Sequence, residues 1–95
     1  VNITQGSKVA TSNLAVQASL VSMFPNPTKD VLHIDFGVNF SGNIQIIKSN
    51  GALVYTEDIQ QQENATLLMD NYDTGLYFIK ISNDETNIVK KILKQ

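Results

Sequence analysis

The sequence predicts an all-β domain, an antiparallel sandwich of about seven short strands. Three observations predict it. Apolar residues recur at alternate positions in short runs, as they do on a strand with one buried face. Turn-forming Pro, Asn, Asp and Gly separate these runs at intervals of about ten residues. No segment sustains a helical period of 3.6 residues with caps at its ends.

The strands begin at Leu20. Leu20 to Phe24 is apolar and closes at Pro25. Val31 to Phe36 alternates, with Leu32, Ile34 and Phe36 on one face and His33 and Asp35 on the other. Ile44 to Lys48 and Leu53 to Glu57 flank Ser49-Asn50-Gly51, and Leu67 to Met69 is short. Leu76 to Ser82 alternates strongly. Its lysine-free face, Tyr77, Ile79 and Ile81, is assigned to the core. Asn87 to Lys94 carries interleaved lysines, and its β-branched Ile88, Val89 and Ile92 favour a strand over a short helix. Gly75 precedes its strand in Asp73-Thr74-Gly75, where a positive φ is expected. Ile34, Phe36, Ile46, Val54, Tyr77, Ile79 and Ile81 are the expected core.

Two registers compete at Asn50-Gly51. A two-residue turn pairs Ile46 with Tyr55. A three-residue loop with Gly51 left-handed pairs Ile46 with Val54. The difference of one residue turns a strand over.

Val1 to Ser19 is rich in Ser, Thr, Asn, Gln and Ala. It reads as a linker or the end of a preceding domain, with one weak strand near Leu14 to Gln17 as the alternative. The first residue is Val1 and not Met, which fits a piece of a longer precursor.

Composition excludes several functions. The net charge of −2 offers no global attraction to nucleic acid or anionic lipid. All seven basic residues are Lys, so the bidentate phosphate grip of Arg is missing. Without Cys there is neither a disulfide framework nor a Cys-based zinc site. No apolar run is long enough to span a membrane as a helix.

Catalytic chemistry is equally sparse. His33 is the single histidine and lies on the polar side of its strand. There is no histidine pair for a metal and no glycine-rich phosphate loop, so neither a catalytic residue nor a cofactor is assigned. Asp70-Asn71-Tyr72-Asp73 groups oxygens as a Ca²⁺ loop does, but these residues are ordinary turn formers. The sequons at Asn2, Asn39 and Asn64 match the N-glycosylation pattern and are of a kind frequent by chance in an Asn-rich chain. Lys90, Lys91 and Lys94 place three positive charges near the end of the chain. They read either as protection of an exposed sheet edge or as a basic handle for a receptor.

Four motifs in order resemble the type A C-terminal sorting domains of the type IX (Por) secretion system of Bacteroidota. They are Phe24-Pro25-Asn26-Pro27-Thr28-Lys29-Asp30, the hairpin from Ile44 to Val54, Gly75-Leu76-Tyr77-Phe78-Ile79-Lys80-Ile81, and Lys90-Lys91-Ile92-Leu93-Lys94-Gln95. Each is weak alone; their order and spacing carry the resemblance. It covers Leu20 to Gln95. One departure is Tyr72, where the family often has Leu; its ring is expected to fill the same pocket.

The resemblance implies an immunoglobulin-like sandwich and favours the three-residue loop with Val54 inward. It implies export, not catalysis. The cargo would cross the inner membrane with its own signal, fold in the periplasm, and reach the cell surface or the medium. The implied partners are the outer-membrane translocon, a shuttle barrel and a sortase-like peptidase, with the domain itself a monomer. The residues implied in recognition are Pro25, Asn26, Pro27, Gly75, Tyr77, Lys90, Lys91, Ile92, Leu93 and Lys94. Cleavage is expected upstream of the sandwich, near Ala10-Thr11-Ser12 or Ala18-Ser19. Asn26 is expected to close a local turn onto nearby backbone. The competing functions are an immunoglobulin-like or fibronectin-like module binding carbohydrate or protein, and a plain spacer. The first usually shows an exposed aromatic platform, whereas here Trp is absent and Phe36 and Tyr77 fall on core faces.

Overall fold

The structure, a computed structural model, describes residues 20–95. The expectations for Val1 to Ser19, including the cleavage neighbourhoods and the Asn2 sequon, lie outside them. Five strands follow in order: β1 (Ser22–Phe24), β2 (Val31–Lys48), β3 (Leu53–Leu68), β4 (Gly75–Ser82) and β5 (Asn87–Lys94). Every strand pairing is antiparallel, and all five strands belong to one sheet in the order β1-β2-β4-β5, with β3 also on β2. A parallel bridge between Thr28 and Lys94 draws the segment after β1 onto β5, so the sheet curls on itself as a half-barrel.

The all-β, antiparallel expectation holds. The expected seven strands are five, in one curled sheet and not two packed ones. The reason lies in β2 and β3, each of which joins two of the runs read separately in the sequence. β2 runs from Val31 through the polar stretch around Asn39 to Lys48, and its pairing with β3 slips between Asp35 and Phe40 and again between Phe40 and Gly42. Gly37 has a φ of +79° within the first slip, and Gln61 has a φ of +52° on the facing strand. Such bulges bend a strand without ending the ladder. A polar, glycine-containing stretch therefore reads as a break in the sequence and is a bend in the fold.

The bend lets both halves of β2 serve one core. Leu32, Ile34 and Phe36 come from its first half and Ile44 and Ile46 from its second. They join Ile59, Leu67, Tyr77, Ile79, Ile81, Ile88 and Ile92 in one buried cluster. Each large aliphatic side chain so buried contributes about 1.5–3 kcal/mol. The Phe36 and Phe40 rings lie 4.8 Å apart at the bend. Gly42 follows, and a Cβ there would stand 2.4 Å from the Ser82 carbonyl oxygen and 2.5 Å from the Phe40 ring.

Six of the seven expected core residues are buried; Val54 is not, at 37% exposure. The β2–β3 turn explains the exception. Gly51 N–H donates to the Lys48 oxygen and Lys48 N–H to the Ala52 oxygen, both at 2.8 Å, with Gly51 at φ +92°. This is the three-residue loop, and Ile47 accordingly faces Leu53. The register then slips by one, so Ile46 faces Tyr55 as the two-residue turn would have it. Val54 is the extra residue of that slip, and it is exposed together with its neighbours Leu53 and Tyr55, at the end of the hairpin beyond the core.

Candidate recognition surface

The chain leaves β1 through Pro25, Asn26 and Pro27, with both X–Pro bonds cis. Two prolines fix φ and remove two backbone donors, so the turn is stiff and leaves few groups unsatisfied. Asn26 does not close the local turn that its type and position predict. Its side-chain amide donates from Nδ2 to the Lys91 oxygen at 3.2 Å and accepts from Leu93 N–H at Oδ1 at 3.1 Å. The amide thus serves one carbonyl and one N–H two residues apart on the outer edge of β5, as a neighbouring strand would.

Thr28 continues the contact with its backbone. Its N–H donates to the Leu93 oxygen at 2.9 Å, and its carbonyl accepts from Gln95 N–H at 2.8 Å. The residue is fully buried, and its hydroxyl donates to the Val31 oxygen at 2.5 Å. Sequence reasoning missed Thr28. The only local signal is a small β-branched residue just after the proline turn.

Strand β5 sends alternate residues to opposite faces. Ile88, Ile92 and Lys94 are buried and Lys90 is half-buried on the same face, while Val89, Lys91 and Leu93 are exposed. The three lysines therefore do not form one exposed handle. Only Lys91 is exposed. Lys90 lies opposite Ile79, and Lys94 donates from Nζ to the backbone oxygen of Gln95 at 2.8 Å.

Gly75 and Tyr77 meet this end through register. Gly75 lies opposite Lys94 and Tyr77 opposite Ile92. Gly75 has a φ of +150°, the positive value expected at the strand entrance. The Tyr77 ring is buried, and its hydroxyl donates to the Asp73 carbonyl at 2.7 Å. Burial first, then the Asp73 charge, then Tyr72 push its phenol above the ordinary value of 10.0. Tyr72 is partly buried, packs against the core and has its ring 5.7 Å from the Tyr77 ring.

The structure thus gathers the ten residues singled out for recognition at one end of β4 and β5 and in the turn that touches it. Beside them, Pro25, Pro27, Lys29, Asp30, His33 and Gln95 line a shallow depression of about 440 Å³. His33 itself is exposed, 5.5 Å from the Phe24 ring, with Nδ1 3.3 Å from Thr66 Oγ1. Among the described residues no group of three or more His, Cys, Asp or Glu is placed to hold a metal ion.

An ulvan lyase of Nonlabens ulvanivorans is 29% identical over 72 residues, which are 76% of this chain and 14% of that protein. The chain therefore spans about a seventh of the length of the curated relative it matches. The family model for the secretion system C-terminal sorting domain matches residues 22–95. The chain belongs to this family, and it is a C-terminal sorting signal for type IX secretion, which sends its protein to the cell surface or beyond.

Proposed function

We propose that the end of the sheet built by Pro25-Asn26-Pro27 and Lys90 to Gln95 is the face read by the outer-membrane translocon and its shuttle barrel. The observation that carries this reading is spatial. Two motifs at opposite ends of the domain share four hydrogen bonds and one edge. A receptor that accepts many cargoes needs a rigid shape independent of the cargo, and a stiff turn bonded to a strand provides one at low entropic cost.

Residues 20–95 act as the sorting domain, and residues 1–19 connect it to the cargo. The cargo crosses the inner membrane with its own signal and folds in the periplasm. After translocation a sortase-like peptidase cuts upstream of residue 20 and joins the cargo to anionic lipopolysaccharide, or the cargo is freed. A peptidase needs an extended segment with few tertiary contacts, and the composition of residues 1–19 suits that need.

The test is a reporter fused between an inner-membrane signal and residues 1–95, expressed in cells with the type IX machinery. Removing Lys90 to Gln95 should leave the reporter in the periplasm; normal export of that fusion would overturn the reading. Lys91→Gln isolates the exposed charge, because Lys94 is buried. Mass spectrometry of the exported reporter should find a new C-terminus before residue 20, and an end within residues 20–95 would overturn the cleavage assignment.

A further inference from the structure

We infer that Asn26 is a positioning residue for the C-terminal strand, so the proline turn and the terminal lysine motif act as one composite signal and not as two. This deepens the recognition reading above and rests on it.

The argument starts from the edge of β5. One side of the strand is paired along its length with β4. The groups of Lys91, Leu93 and Gln95 on the other side would face solvent, and the last turn of a sheet edge frays when nothing holds it. Asn26 and Thr28 supply the missing partners in sequence. Asn26 takes the Lys91 oxygen and the Leu93 N–H, and Thr28 takes the Leu93 oxygen and the Gln95 N–H. Lys91 and Leu93 then stand on the outer face at fixed positions, held by backbone contacts that use neither side chain.

Asparagine suits the place for a chemical reason. Its side chain ends in a donor and an acceptor on one planar amide, which reproduces a peptide group. Aspartate would keep the acceptor for Leu93 N–H but lose the donor for the Lys91 oxygen and set a charge against it. Alanine would lose both. The prolines on either side hold the amide at the edge without adding backbone donors of their own.

The test pairs amide hydrogen exchange on the full chain with export of the reporter fusion. In Asn26→Ala the Leu93 amide should exchange about five- to tenfold faster, the effect of losing one hydrogen bond. The Ile79 amide, on the central strand, should be unchanged. Export should fall toward that of the fusion lacking Lys90 to Gln95. Asn26→Asp should fall between. If Asn26→Ala also loosens Ile79, Asn26→Leu, which keeps the size of the side chain and makes neither hydrogen bond, decides in its place by the same two readouts.

Unchanged Leu93 exchange in the deciding variant would overturn the inference. So would faster exchange with normal export while the deletion is retained, which would leave the strand recognised without the turn. Normal export of the deletion would instead overturn the recognition reading itself, and the positioning role with it.

Discussion

Beside the short β1, two longer strands, β3 and β5, lie at margins of the sheet, and their edges are managed differently. β3 has sixteen residues and a single neighbour, β2, over its whole length. β5 has eight residues and a single strand neighbour, β4, but the outer edge of its second half, from Lys91 on, is covered by Asn26 and Thr28. The lysines of β5 look in the sequence like edge protection. In the fold they occupy faces, and the edge is protected by hydrogen bonds from another part of the chain. The β3 edge carries no lysine. It is protected by the slips at Gln61 and Val54, which bend and twist it, and by Glu57, Asp58 and Glu63. Charge guards the edge that stays open, and chain covers the other.

The largest expected effect erases the comparison. Ile79 is fully buried in the central strand between the two margins. Ile79→Ala should cost about 2–5 kcal/mol in urea unfolding, exposing both edges together. A cost below about 1 kcal/mol would mean that the two halves of the sheet do not share one core.

Thr28→Val separates the edges. It keeps the β-branched shape and the backbone bonds but removes the hydroxyl that donates to the Val31 oxygen. Leaving that half-buried carbonyl short of a donor should cost about 0.5–1.5 kcal/mol. Faster exchange should then appear at Leu93 and Gln95, with β3 unaffected. Equal loosening of β3 would show that the margins are not independent.

High pH should act more strongly on the β5 side. A phenol whose pKa is raised in the fold is held neutral there, so its contribution is complete below about pH 10 and is lost as pH rises through the raised value. Tyr77, beside β5, is raised chiefly by burial. Tyr55, on β3, is raised chiefly by its hydrogen bond to Glu57, at 2.7 Å, and it is exposed to solvent. Urea midpoints measured between pH 9 and pH 11 should fall, a range set by the ordinary tyrosine pKa of about 10. Tyr77→Phe should flatten that fall more than Tyr55→Phe does.

The smallest effect belongs to the open edge. Leu68 is 72% exposed at the end of β3. Leu68→Lys should change stability by less than about 0.5 kcal/mol while reducing self-association in light scattering.

These contrasts also mark what was legible in the sequence. Alternation over Val31 to Phe36 and Leu76 to Ser82 placed Ile34, Phe36, Tyr77, Ile79 and Ile81 inside, because period two is a local property. The positive φ of Gly75 was legible for the same reason. Val54 was not, because a slip two residues beyond a well-chosen loop leaves no mark in residue type. The joining of runs into β2 and β3 was hidden because glycine and asparagine serve bends and breaks alike. Lys94 was hidden because a long side chain on an inward position can turn its amine to a nearby backbone oxygen. The partners of Asn26 lie 65 and 67 positions away, beyond the reach of any local pattern.

That separation sets an order of events. Bonds between distant positions carry the full entropy of closing the intervening loop, so they form late, after nearer pairings have shortened it. Synthesis also delivers the last strand last. A chain whose β4 and β5 have not joined the sheet can make the proline turn but has nothing for Asn26 and Thr28 to grasp. The clasp therefore works as a seal of assembly: it exists only once β5 lies in place on the sheet.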